Sequence, residues 1–159
     1  MSSPAKPRVV TPNELDTVAS WIGVNEGFQH TNRKLHTAVT NAFNLDPGEC
    51  DLLLLLGRSP QGGVPMSTLA REIGFTSGGL TKVADRLARR ELVERVSASG
   101  DRRMVNLALT DSGVQLANDL SCLVSDVVRS LWTDVLGVER ASQLAESMAM
   151  LRDTHRDTD

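Results

Sequence analysis

The stretch MSTLAREIGFTSGGLTKVADRLARRELVERVSASGDRRMVNLALTDSG, residues 66–113, decides the fold. Its beginning predicts a short helix that has Ser67 as N-cap and stops at Gly74. A second helix follows, with Thr76 as its N-cap. Two short helices joined by a tight glycine-containing turn are typical of a helix-turn-helix.

The second helix has two contrasting faces. Apolar residues at spacings of i, i+3, i+4 and i+7 predict a buried face, which consists of Leu80, Val83, Ala84 and Leu87. The other face is small and hydroxylic at its start and mostly basic later, and it carries Ser77, Gly78, Thr81, Lys82, Asp85, Arg86 and Arg89. Because the second helix of this motif enters the major groove of DNA, we expect a recognition helix over residues 76–90. Gly78 and Gly79 would let its backbone approach phosphates closely.

Residues 92–98 and 104–109 predict two strands, with Gly100 available for the turn between them. The resulting hairpin is the wing of a winged helix, and its DNA-contacting part is expected over residues 98–104. An arginine suits a narrow minor groove, where the negative potential is deepest, and a neighbouring aspartate can fix its position. The candidate wing residues are Asp101, Arg102 and Arg103.

The segment before this stretch predicts two further helices. Residues 1–11 are expected to form a flexible tail, and apolar residues over 12–44 indicate one long helix. Gly23 and Gly27 mark an expected bend or a close contact with another backbone. The sequence DPGE, residues 46–49, predicts a capping box that starts a short helix through the leucine run, which ends by Gly57 and Pro60.

The segment after the stretch, residues 111–159, also predicts two helices. Thr110 caps the first, whose apolar stripe includes Leu120 and continues to about Leu131 before Gly137 interrupts it. These terminal helices are too apolar to face water, so we expect them, with the helix over 12–44, to form a homodimer. Leu120 is expected in the dimer core. The expected fold is thus mainly α with a small β-hairpin wing: a winged helix-turn-helix domain, residues 45–110, flanked by dimerisation helices.

Charge and composition agree with a DNA-binding protein. The net charge is −3, yet residues 66–110 carry eight basic and five acidic side chains, which favours local attraction of an anion. No apolar run is long enough to span a bilayer, and the N-terminus lacks the apolar core of a signal peptide, so we expect a cytoplasmic protein without a membrane partner.

Cys50 and Cys122 show no spacing typical of a disulfide framework or a zinc site, and both are expected to be packed, reduced thiols.

The quoted stretch, together with DPGECDLLLLL upstream of it, resembles the MarR family of winged-helix transcription regulators. The resemblance covers about residues 45–115 and rests on the recognition-helix pattern and on the wing pattern D-R-R, three residues, L-x-L-T. It implies a homodimer that reads a pseudo-palindromic operator, usually as a repressor. The residues that match the family's DNA contacts are Ser77, Gly78, Thr81, Lys82 and Arg86 in the helix and Asp101 with Arg103 in the wing, while Arg102 is expected to meet a phosphate. The full candidate DNA-binding set adds Ser67, Thr76 and Gly79.

The resemblance also implies an effector, commonly a small anionic aromatic compound, in an apolar pocket with a few polar groups. The candidate effector residues are Trp21, Phe28, His36, Asp51 and Arg95. Asp51 and Arg95 match the family's urate-responsive branch, but Val83 replaces that branch's recognition-helix arginine. For each of these residues, the alternative to effector binding is a simple role in packing or at the surface.

Other functions have weaker sequence support. A redox-responsive regulator could use Cys50, whose pKa the helix dipole could lower, unless the thiol is buried and inert. A metal-responsive regulator has only Glu26, His30 and His36 as ligands, which are too few, and no metal or cofactor is expected. The sequence contains no P-loop, GxSxG or HExxH motif, so we do not expect an enzyme. A winged helix can also serve as a protein-interaction module, since fold does not dictate function.

Overall fold

The structure is a computed structural model that describes residues 11–59, 63–98 and 101–155, with the backbone alone for residues 98 and 101–104. The chain divides into two compact units, Met1–Lys34 and Leu35–Asp159. Most of the expected tail over residues 1–11 and the expected helix stop at Pro60 lie outside the described residues.

The first helix, α1, spans Pro12–Phe43. Thr11 and Glu14 form its N-terminal cap: the Thr11 amide donates to the Glu14 carboxylate at 2.8 Å, and the Glu14 amide donates back to the Thr11 hydroxyl at 3.4 Å. The backbone is helical through Gly23 and Gly27, and a Cβ built on either glycine meets no atom within 4 Å. Within the single chain, these glycines therefore make none of the close backbone contacts that were one of the two expectations for them.

The second helix, α2, spans Pro47–Gly57 and begins as the sequence predicts. Its N-cap Asp46 accepts from the Glu49 amide at 2.8 Å, and the Glu49 side chain accepts from the Asp46 amide at 3.0 Å. The predicted capping box is thus confirmed. The leucine run makes α2 the centre of the core of the second unit, because Leu52 and Leu53 are completely buried.

The helix-turn-helix and its wing follow α2. Helix α3 spans Met66–Ile73 and α4 spans Ser77–Arg89. The strands are β1 (Val64–Pro65), β2 (Val93–Ala98) and β3 (Asp101–Leu109), which form an antiparallel sheet in the order β1-β3-β2. Strand β1 was not predicted: it has only two residues, one of them a proline, and its pairing with β3 is far away in sequence. Its pairing with β3 joins the segment before α3 to the wing.

Helix α5 spans Asp111–Val128, and its N-cap Thr110 accepts from the Gly113 amide at 3.0 Å, which confirms the predicted cap. The expected role of Leu120 in a dimer core is wrong. Leu120 is 0% exposed within the single chain and belongs to its own core cluster, as α5 packs against α2. The N-terminal half of the predicted stripe is therefore used inside the chain.

The end of the chain departs from a simple long helix. A π-helical segment, Arg129–Thr133, continues α5 and is followed by the short α6, Asp134–Leu136. Gly137 then interrupts the helix, as predicted, with a φ of 80° that other residues rarely adopt. The last helix, α7, spans Val138–His155 and contains no buried residue.

The core lies in the second unit and consists of one apolar cluster from the end of α1, from α2 to α5 and from the sheet. The predicted fold class, mainly α with a small β wing, is confirmed. Within the described ranges, no helix combines the length and the apolarity that a membrane span requires.

Candidate nucleic-acid interface

The turn between α3 and α4 forms through local signals. Gly74 ends α3 in the left-handed conformation, with φ 74° and ψ 29°, and the Phe75 amide then donates to the Ala70 carbonyl at 2.8 Å. Thr76 caps α4 by accepting from the Gly79 amide at 3.1 Å. The predictions for Gly74 and Thr76 are confirmed. The prediction for Ser67 as N-cap is wrong, because α3 begins one residue earlier, with Pro65 as N-cap and no side-chain cap.

Helix α4 buries the predicted face and exposes the start of the other. Leu80, Val83, Ala84 and Leu87 are all at most 7% exposed. The residues exposed on the opposite side near the helix start include Ser77, Gly78, Thr81 and Lys82. A Cβ at Gly78 would point into open space, so another backbone or a phosphate can come close there. Gly79 serves a different purpose, since its amide is already used by the Thr76 cap.

Two of the charged residues of α4 have partners within the chain. The Asp85 carboxylate accepts from Arg95 of β2 at 2.7 Å, which joins the recognition helix to the wing and offsets an acidic charge on the helix surface. Arg86 donates to Glu49 at 3.0 Å and also pairs with Asp46, so it reaches back to the start of α2. The hydrogen bond with Glu49 is the main cause of the raised pKa of Arg86. Sequence reasoning did not find this pairing, because its partners lie far apart in the chain.

The wing is longer and less regular than predicted. Strands β2 and β3 pair with one register from Val93 opposite Leu109 to Ser97 opposite Val105, but Ala98 then pairs with Asp101. The backbone of residues 101–103 thus lies in β3 and not in the hairpin tip, where the sequence had placed Arg102 and Arg103. The turn at Gly100 and the side chains of Asp101, Arg102 and Arg103 lie outside the described residues, so their DNA contacts stay predictions.

The candidate effector residues are divided between the two units. Trp21 and Phe28 belong to the first unit, where their side chains are 69% and 57% exposed. His36 and Asp51 in the second unit interact electrostatically: desolvation raises the pKa of the Asp51 carboxyl, and His36 opposes this rise. Arg95 instead forms a salt bridge with Asp85.

A cavity of about 640 Å³ lies beside Asp51. Its apolar lining residues are Leu54, Leu55, Ile73, Val124 and Val128, and its charged lining residues are Asp51, Arg58, Glu72 and Arg152. The mixture of apolar walls and a few charges is the composition that small organic ligands require. Of the five candidate effector residues, Asp51 is the one that lines this cavity.

The cysteines differ in their surroundings. Cys50 is 1% exposed, and burial with a contribution from Asp51 raises the pKa of its thiol to about 12. The expected packed position of Cys50 is confirmed. The alternative of a thiol whose pKa the helix dipole lowers is not, because desolvation of the thiolate outweighs the dipole. Cys122 is exposed, contrary to the packed position expected for it. Among the side chains described, no group of three or more His, Cys, Asp or Glu residues could hold a metal ion.

The α3-turn-α4 arrangement with its three-stranded sheet defines a winged helix-turn-helix protein. Residues 43–104 match the sequence model of the MarR family. The resemblance seen in the sequence is therefore confirmed for this segment of the chain.

Individual relatives agree with this assignment. The HTH-type transcriptional regulator MhqR of Bacillus subtilis (strain 168) is 32% identical over 91 residues, which cover 57% of this chain and 58% of MhqR. The MarR family regulator Sco3205 of Streptomyces coelicolor, solved in complex with DNA, superposes with a TM-score of 0.80 at 24% identity, over 97% of this chain and 94% of that one. NadR, solved in complex with 4-hydroxyphenylacetate, gives a TM-score of 0.71 at 22% identity over 99% and 100% of the two chains. At these identities the solved structures establish the shared fold.

Proposed function

We propose that the protein is a sequence-specific, double-stranded-DNA-binding transcriptional regulator. The observation that carries the proposal is the exposed start of α4, where Gly78 leaves open space beside Lys82 and the hydroxyls of Ser77 and Thr81. These groups suit phosphates and base edges in a major groove. The wing, residues 98–104, would reach the adjacent minor groove with Arg103. The DNA complex of Sco3205, which has the same fold, supports this assignment.

The proposed regulator acts as a homodimer on a pseudo-palindromic operator and represses transcription. Support for the dimer comes from apolar side chains that the single chain leaves exposed on both terminal helices. In α1 these are Leu15, Val18, Trp21, Ile22, Val24 and Phe28, and in α7 they are Val138, Leu144, Met148, Met150 and Leu151. A two-fold dimer of winged helices places half-sites about one helical turn, ~10 base pairs, apart.

The cavity beside Asp51 is the proposed effector site. NadR, which shares the fold, binds 4-hydroxyphenylacetate, a small aromatic acid. In the cavity of this chain, Arg58 and Arg152 supply positive charges for a carboxylate, and the leucines of α2 supply apolar walls for a ring. An effector of the same chemical class would release the protein from its operator. Adding such acids to the operator-binding assay described next tests this part of the proposal.

Selection of bound duplexes from a random DNA pool, followed by fluorescence anisotropy across a salt series, tests the main proposal. We expect a pseudo-palindrome whose affinity falls steeply with salt, because bound phosphates release counterions. No enrichment, or binding that is indifferent to salt, would favour the alternative of a protein-interaction module.

Single variants then locate the contacts. Lys82→Ala should reduce the slope of log affinity against log salt by about one unit if Lys82 meets a phosphate. Arg103→Ala should weaken binding with the dimer intact. Arg140→Ala, an exposed cation of α7, is the matched control and should leave both quantities unchanged. An unaltered slope for Lys82→Ala would refute the phosphate contact.

A further inference from the structure

The start of α2 is held by more than its own capping box. Asp46 and Glu49 each use one carboxylate oxygen inside the box: Asp46 Oδ1 accepts from the Glu49 amide, and Glu49 Oε2 accepts from the Asp46 amide. The second oxygen of each carboxylate faces Arg86 of α4. Arg86 donates through Nε to Glu49 Oε1 at 3.0 Å and through NH2 to Asp46 Oδ2. One arginine of the recognition helix thus spans both members of the box.

Arg90, one turn after Arg86, makes a second connection to the same place. Its NH1 and NH2 groups donate to the carbonyls of Asn44 and Phe43, at 3.0 and 3.1 Å. These carbonyls lie at the C-terminal end of α1, where a cation also complements the helix dipole. The NH1 group is 3.8 Å from Glu49 Oε2. We call Asp46, Glu49, Arg86 and Arg90 the α4 clamp.

Glu49 is the buried centre of the clamp. Its side chain is 7% exposed, against 38% for Arg86 and 37% for Arg90. Burying a carboxylate is costly unless it is paired and hydrogen-bonded. The interactions with Arg86 and Arg90 offset this cost for Glu49, and they restrain the orientation of both arginines. The clamp therefore fixes where the flank of α4 lies against the junction of α1 and α2.

The clamp borders the proposed DNA-facing surface of α4. At 100° per residue, Arg90 lies about 20° from Val83 and so borders the buried stripe. Arg86 lies between this stripe and Lys82, about 40° from Lys82 and about 80° from Gly78. Hydrogen bonds distinguish Arg86 from its neighbour Lys82, because the guanidinium groups of the clamp are directed to α2 and to the end of α1. The sequence pattern alone had placed Arg86 among the DNA contacts.

We propose that Arg86 and Arg90 are positioning residues for DNA binding: they set the angle at which α4 enters the groove through their shared anchor Glu49, and they do not contact DNA. This inference rests on the proposed DNA-binding function. It also assigns Glu49 a role that its charge alone would not suggest, because an acidic residue near a DNA-binding helix normally opposes phosphate binding.

Glu49→Gln gives the sharpest test, since the two explanations predict opposite signs. The substitution keeps the shape of the side chain and removes one negative charge. If Arg86 is a DNA contact, Glu49→Gln frees it and operator affinity stays the same or rises. If Arg86 is a positioning residue, affinity falls, by about tenfold for the loss of one charged hydrogen bond. Operator anisotropy at matched salt measures the difference.

Variants of Arg86 complete a double-mutant cycle. We expect Arg86→Gln to weaken binding by a similar factor with the salt slope unchanged, and the double variant with Glu49→Gln to be little worse than either single one. A direct phosphate contact predicts instead a slope lower by about one unit and additive losses. The proposal is overturned if Arg86→Gln lowers the slope of log affinity against log salt and Glu49→Gln leaves operator binding unchanged or tighter.

Two controls keep the outcome interpretable. Arg86→Lys keeps the charge but cannot reach Glu49 and Asp46 with a planar fork, so a positioning role predicts a loss, whereas a simple phosphate contact predicts retained binding. It also replaces Arg86→Gln if circular dichroism shows that variant to be unfolded. Lys82→Ala, measured in parallel, separates the two hypotheses: if the wild type shows no salt-dependent operator binding and Lys82→Ala changes nothing, the proposed function itself has failed.

Discussion

Helices α2 and α7 both carry several large apolar residues but have opposite surroundings. In the 11 residues of α2, Glu49, Cys50, Leu52, Leu53 and Leu56 are buried. The 18 residues of α7 include none that is buried, and Val138 and Met150 are 76% and 71% exposed. The comparison teaches that an apolar stripe shows only that a helix needs a covering surface. For α2 the chain itself provides that surface, whereas for α7 the proposed dimer must provide it.

The largest expected effect comes from shortening a leucine of α2. Leu53 is completely buried, so Leu53→Ala removes apolar contacts and leaves a cavity, and we expect the free energy of unfolding to fall by about 3 kcal/mol. Urea denaturation followed by circular dichroism measures this. The matched control is Met150→Ala in α7, which should change the stability of the chain by less than about 0.5 kcal/mol. Equal losses in the two helices would remove the contrast between them.

A charge in the apolar stripe of α7 should act on assembly and not on folding. Leu144 is 38% exposed in the single chain, so Leu144→Asp is tolerated by the fold but places a carboxylate in the proposed dimer contact. We expect dimer dissociation to become at least about tenfold easier, an effect of roughly 1.4 kcal/mol or more. Analytical ultracentrifugation measures it, with circular dichroism to confirm the helices.

Ser142→Asp is the control for this variant, because Ser142 lies on the opposite side of α7. A Leu144→Asp protein that remains as dimeric as the Ser142→Asp protein would show that α7 is not part of the interface. The proposed dimer would then have to use α1 alone.

The smallest expected effect concerns the thiol buried in α2. The pKa of Cys50 is raised from 9.0 to about 12 in the folded chain. The folded state therefore binds the thiol proton more tightly than the unfolded state, and its stability falls as the pH rises above about 9. The fall approaches ~1.4 kcal/mol per pH unit at most. Denaturation of the wild type and of Cys50→Ala at pH 8, 9 and 10 measures the difference in slope.

Cys122→Ala is the matched control for this titration, since Cys122 is exposed. It should follow the wild type across the same pH range. If Cys50→Ala showed the same alkaline loss as the wild type, another group would be responsible, and the contrast between the buried and the exposed cysteine would lose its support.

Local signals explain which parts of the fold could be predicted. The capping box at Asp46, the caps at Thr76 and Thr110 and the stop at Gly74 depend on residues within about one turn of each other, and the structure confirms all four. Ser67 shows the limit of the same reasoning. It is a good capping residue by type, but β1 fixes the chain one residue earlier, and α3 starts at Met66 without a side-chain cap.

Non-local contacts explain what the sequence did not reveal. The pairing of Val64 with Leu107 and the contact of Arg86 with Glu49 each join residues that are far apart in the chain, and no periodicity records them. The candidate site was accordingly predictable as a helix face, including Gly78 and Lys82. Which arginines of that helix are already occupied depends on the fold of the whole unit.

The start of α2 has a consequence for the order of folding. Its capping box can form as soon as Asp46 and Glu49 are both available. The hydrogen bond from Arg86 to Glu49 can form only after α4 has docked, since Arg86 lies 37 residues beyond Glu49. Closing such a loop costs more conformational entropy than forming a helical turn. We therefore expect the nascent α2 to exist first as a frayed helix and the junction of α1, α2 and α4 to be among the last regions to gain protection from amide hydrogen exchange.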